Sequence, residues 1–80
     1  MARWAIWMQG DVASLSDSQL DDLGRALQPH GGRVTQQGRY FSIMLSMHVE
    51  DRGAATQTAL ALWHAHLPST RLRGLLVIPL

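Results

Sequence analysis

Two observations predict an α+β fold in which helices cover one face of a single antiparallel sheet. The first is strict alternation over residues 40–49. Phe41, Ile43, Leu45, Met47 and Val49 fall on one side, and Tyr40, Ser42, Met44, Ser46 and His48 on the other, because successive strand side chains point to opposite faces. One row is wholly apolar and the other mixed, the pattern of a central strand with one buried face. The second observation is the order of periods. Strand-like runs at residues 4–9, 33–37, 40–49 and 72–78 are interrupted twice by helical spacing, giving strand, helix, strand, strand, helix, strand.

Each element has its own local cause. Residues 4–9 place Trp4, Ile6 and Met8 on one face and Ala5, Trp7 and Gln9 on the other, and Gly10-Asp11 ends the run. Ser16 with Gln19 three residues later forms a capping box, and Leu15 and Leu20 occupy the positions of a hydrophobic staple. Leu20, Leu23 and Leu27 make one apolar stripe, while Asp17, Asp21 and Asp22 lie near the positive end of the helix. Pro29 and Gly31-Gly32 stop it. Residues 33–37 form a short polar strand, and Gln37-Gly38 turns the chain into the third strand. Asp51 caps a second helix over residues 54–67, whose buried stripe is Ala55, Ala59 and Leu62 with Leu60 or Trp63. Pro68 ends it, and residues 72–78 form the last strand, bounded by Pro79.

Two split βαβ units with right-handed crossovers then give a four-stranded antiparallel sheet in the order 4-1-3-2, with both helices on one face. This is the ferredoxin-like sandwich. The polar second strand falls at an edge, where its arginine opposes unwanted pairing.

Composition bounds the functional classes. Eighty residues make one small domain, 1–80, with a single core and a narrow stability margin. The absence of cysteine excludes disulfides, thiolate metal sites and cysteine nucleophiles. The first residues are too short an apolar run for a leader, and no run approaches the ~20 residues that span a bilayer, so no membrane association and a cytoplasmic location are expected. A net charge of +1 does not by itself call for a polyanionic partner. All seven basic residues are arginine, as high-GC coding would produce.

The run Leu-Ser-Asp-Ser-Gln-Leu-Asp-Asp-Leu at residues 15–23 is joined by an aromatic-rich third strand, an acidic turn at Glu50-Asp51 and an alanine-rich second helix containing Trp63. This combination resembles short actinobacterial and actinophage proteins of uncharacterised function. The resemblance covers nearly the whole chain. Its motifs are fold-making, so it implies no activity and no catalytic residues.

Function is expected on the sheet face that the helices leave open. Alternation assigns to it Arg3, Ala5 and Trp7, then Arg33, Thr35 and Gln37, then Tyr40, Met44 and His48, and finally Arg71, Arg73, Leu75 and Val77. An apolar patch flanked by arginines is a contact surface for a protein partner or a second copy of the chain. The predicted interface residues are Trp7, Tyr40, Met44, His48, Arg71, Arg73, Leu75 and Val77. The alternative use of the same face is single-stranded nucleic acid, with bases stacked on strand aromatics. Gly38-Arg39-Tyr40-Phe41-Ser42-Ile43 fits that poorly, because adjacent aromatics on a strand point to opposite faces. His64 and His66 diverge by about 200° around a helix and do not converge on a metal. Ser42, Ser46 and His48 share a face with no acid to orient the imidazole and no oxyanion turn. The expectation is therefore a non-catalytic protein with no cofactor and no metal.

Overall fold

The computed structural model describes residues 2–80. The chain runs through β1 (Ala2–Asp11), a 3₁₀ turn (Val12–Ser14), α1 (Asp17–Leu27), a second 3₁₀ turn (Gln28–His30), β2 (Arg33–Gln37), β3 (Tyr40–Val49), α2 (Arg52–His66) and β4 (Leu72–Pro79). The sheet order is β2-β3-β1-β4 with every neighbouring pair antiparallel. This is the ferredoxin-like α+β fold, and the polar β2 stands at one edge. β1 extends further than the alternation alone indicates, pairing with β3 from Ala2 opposite Val49 to Asp11 opposite Tyr40.

The element ends have local causes. The Ser16 Oγ accepts the Gln19 N–H at 3.2 Å, and the Gln19 Oε1 accepts the Ser16 N–H at 2.8 Å, so two donors at the start of α1 are satisfied reciprocally. Asp51 accepts the Ala54 N–H at 2.8 Å and starts α2. Beyond α1, Gly31 adopts a left-handed φ of 67° and the Gly32 N–H donates to the Leu27 carbonyl at 2.9 Å, the closing pattern that glycine favours. Gln37 and Tyr40 pair across a two-residue loop in which Gly38 has φ 61° and Arg39 does not have positive φ. That is the sign pattern of a type II′ turn, which matches strand twist and favours glycine first.

Helices and sheet meet in one core. Ile6 and Met8 of β1 and Phe41, Ile43 and Leu45 of β3 are buried against Leu23 and Leu27 of α1 and Ala55, Ala59 and Trp63 of α2. Ala55, Ala59 and Trp63 recur every fourth residue, so they share one face of α2. The two alanines allow close approach of the helix, and Trp63 supplies the volume beyond them. Its ring stacks on Phe41 with centroids 5.7 Å apart and planes within 5°, and its Nε1–H donates to the Thr70 carbonyl at 3.0 Å. Gly10, opposite Phe41 on β1, makes room for this stack: a Cβ there would lie 2.7 Å from the Trp63 ring and 3.0 Å from Phe41. At the rim of the core, the Arg52 guanidinium sits 5.7 Å from the centre of the Trp4 ring, within cation–π range.

Candidate interaction face

Strand register builds the open face row by row, since directly paired residues project to the same side. The central row runs Arg33, Met44, Trp7, Leu76 from β2 to β4, and the next runs Ser46, Ala5, Ile78. In the opposite direction lie Thr35, Ser42, Gln9 and Gly74, then Gln37, Tyr40 and Asp11. The face is therefore divided. Its apolar half comprises Met44, Trp7, Leu76, Ile78 and Ala5 and reaches the β4 edge, while its polar half lies toward the β2–β3 hairpin.

β4 corrects the alternation reading. Leu75 and Val77 lie opposite Met8 and Ile6 and pack against the core, so they do not belong to the open face. Leu76 and Ile78 take their place there, 52% and 45% exposed. The cause is a bulge: Gln9 pairs with Gly74 but Gly10 pairs with Leu72, leaving Arg73 as an extra residue. One extra residue reverses the parity of everything beyond it. Arg73 is held at the end of β1 by Asp11, whose Oδ2 accepts its Nε–H at 3.0 Å and lies 3.0 Å from Nη2. Arg71 is exposed and lies outside β4.

The remaining sequence-derived residues are on the face, in unequal positions. Met44 is 46% exposed beside Trp7, whereas Trp7 itself is half-buried, its ring lying across Gly74 where a Cβ would meet it at 3.0 Å. The glycine gives the indole a seat on β4. Tyr40 is exposed four residues along the sheet from the Trp7 row, a separation of about 14 Å, so the two aromatics do not form one stacking platform. Phe41 is fully buried. His48 stands exposed opposite Arg3 at the far end.

Other chemistry-bearing groups are dispersed. His64 and His66 occupy the last turn of α2 and are exposed, where cationic side chains complement the helix dipole. Among the described residues no group of three or more His, Cys, Asp or Glu is close enough to hold a metal ion. A depression between α1 and β2, away from the open face, is lined by Asp17, Leu20, Asp21, Arg25 and Val34 among others. No helix among the described residues is long and apolar enough to cross a membrane.

Fold and face together define a small ferredoxin-like α+β domain with an uncovered apolar half-sheet. No family model and no curated protein matches the chain.

Proposed function

We propose that this chain is a non-catalytic interaction module that binds a second copy of itself through the open sheet face. The observation that carries the reading is the contiguity of Met44, Trp7, Leu76, Ile78 and Ala5 across three neighbouring strands. Contiguous apolar surface is unfavourable in water and marks contact sites in soluble proteins.

The size of the face supports a second copy as the occupant. The four strands hold 33 residues, each covering about 3.4 by 4.8 Å, for a face of about 540 Å². Two such faces stacked about 10 Å apart bury about 1,100 Å², close to the ~1,200 Å² at which specific complexes become stable. The apolar half supplies the centre of that contact, and Arg3 and Arg33 lie at its margins, where they stay hydrated.

Sedimentation equilibrium tests the reading. The wild type is expected to self-associate, and Leu76→Glu and Trp7→Glu are expected to stay folded and to associate far more weakly. Because a symmetric dimer carries each change twice, the loss of about 1.5–3 kcal/mol of burial per leucine-sized side chain weakens association by at least about a hundredfold. Leu76 is the cleaner position, since its side chain is more than half exposed in the single chain. A wild type that is monomeric at every concentration, with both variants indistinguishable from it, contradicts the reading.

A further inference from the structure

β4 ends the sheet, and the hydrogen-bond pattern fixes which of its backbone groups are free. The Val12 N–H donates to the Arg39 carbonyl at 2.8 Å, continuing the β1–β3 register, and the Leu80 N–H donates to the Arg3 carbonyl at 2.9 Å, continuing the β1–β4 register. Bonded and non-bonded pairs alternate along an antiparallel ladder. Even-numbered residues of β1 therefore bond to β3 and odd-numbered residues to β4. On β4, Gly74, Leu76 and Ile78 turn their N–H and C=O groups toward β1. Leu75 and Val77 turn theirs out of the sheet, together with the Pro79 carbonyl. Pro79 occupies a position where β1 requires no N–H, the setting in which an edge strand tolerates proline.

The two edges of the sheet differ. β2 is five residues long and carries Arg33, Thr35, Gln36 and Gln37, features that discourage pairing. β4 presents Gly-Leu-Leu-Val-Ile at residues 74–78 with no charge, bracketed by the bulge at Arg73 and by Pro79. Its free edge is short and sharply bounded.

We infer that the free edge of β4 pairs with the β4 of a second copy, antiparallel about a two-fold axis at Leu76, joining two four-stranded sheets into one of eight strands. The inference concerns the sheet edge and stands apart from the stacking of open faces. With the axis at Leu76, Leu75 lies opposite Val77 of the second copy, and each such pair exchanges two N–H···O=C bonds. Every outward N–H of Leu75 and Val77 in both copies is then used. Moving the axis to Leu75 draws the bulge residue Arg73 into the ladder. Moving it to Val77 sets Leu75 against Pro79, which has no N–H to give. The Leu76 register alone keeps both out of the Leu75–Val77 ladder, setting Arg73 opposite Pro79 just beyond each of its ends.

Side chains agree with the backbone. Leu76 meets Leu76 of the second copy on the open face, and Leu75 meets Val77 on the core side, so no like charges are opposed. The row Arg33, Met44, Trp7, Leu76 then continues into the second copy, and the two apolar halves merge. A ladder of this length is smaller than the interfaces of permanent complexes, so pairing depends on protein concentration.

Amide hydrogen exchange of the full chain, followed residue by residue by NMR at low and high protein concentration, tests the inference. At low concentration Leu76 and Ile78 are expected to be protected and Leu75 and Val77 to exchange rapidly. Raising the concentration until nine chains in ten are paired is expected to slow Leu75 and Val77 by about tenfold. A chemically made chain with an N-methyl group on Val77 loses only an outward donor, and in it Leu75 is expected to remain fast at all concentrations. Self-association that leaves Leu75 and Val77 fast overturns edge pairing while leaving face stacking intact. Protection of Leu75 that survives N-methylation of Val77 also overturns it. Concentration-dependent protection that persists in Trp7→Glu, a change on the open face of β1 and away from the β4 edge, supports edge pairing independently of the open face.

Discussion

Trp63→Ala is expected to remove about 3–5 kcal/mol of folding stability, most of the ~4–12 kcal/mol that a domain of this length possesses. The indole is the largest fully buried side chain among the described residues. It leaves α2, stacks on Phe41 of β3, lies over Gly10 of β1 and donates to the Thr70 carbonyl at the approach to β4. Truncation opens a cavity at the point where three strands and a helix converge, and Ala55 and Ala59 on the same helix face are too small to fill it. Trp63→Phe keeps an aromatic partner for Phe41 and is expected to lose less. Urea denaturation of the two variants measures both, and a loss below about 1 kcal/mol for Trp63→Ala contradicts this account of the core.

Gly10→Ala is expected to cost about 1–3 kcal/mol by overpacking, although a strand interior ordinarily favours alanine over glycine. The added carbon would sit 2.7 Å from the Trp63 ring and 3.0 Å from Phe41. The strain depends on the far ring of the indole, so the double variant Gly10→Ala with Trp63→Phe is expected to cost less than the sum of the two singles. A shortfall of at least about 0.5 kcal/mol in the double-mutant cycle is the signature of direct contact. Additive losses place the strain elsewhere.

These two positions also mark how far the sequence can be read. The β3 alternation, the Ser16-Gln19 capping box, the Asp51 cap and the Gly31-Gly32 stop are all interactions among near neighbours in sequence, and each appears in the fold as its local pattern predicts. Gly10 reads locally as a strand end. In the fold it is a strand interior kept bare by a tryptophan 53 positions away, and no local pattern carries that distance. The sequence does place Trp63 among the candidates for the buried stripe of α2, and the fold selects it over Leu60, but its stack on Phe41 follows only once β1 and β3 are set beneath the helix.

β4 shows the limit most clearly for the candidate site. After Gly74 the run Leu75-Leu76-Val77-Ile78 is apolar at every position, so alternation offers no internal reference, and parity has to be taken from Arg71 and Arg73. The bulge breaks that link. An isolated glycine beside an arginine inside a strand is a signal for such a bulge, and it moves the aliphatic part of the face from Leu75 and Val77 to Leu76 and Ile78. Trp7 and Met44 needed no correction, because β1 and β3 run in unbroken register past each other.

The absence of cysteine from the chain allows a single spin label to be placed at will, and this gives the most direct test of the central claim. Labels at Ser42→Cys on the open face and at Gln57→Cys on the exposed side of α2 are compared by electron paramagnetic resonance at high protein concentration. Stacking of two open faces, with sheets about 10 Å apart, predicts strong dipolar broadening from position 42 that disappears on dilution with unlabelled chain, and none from position 57. A spectrum unbroadened at position 42, or broadened only at position 57, contradicts the claim that the open sheet face is where a second copy binds.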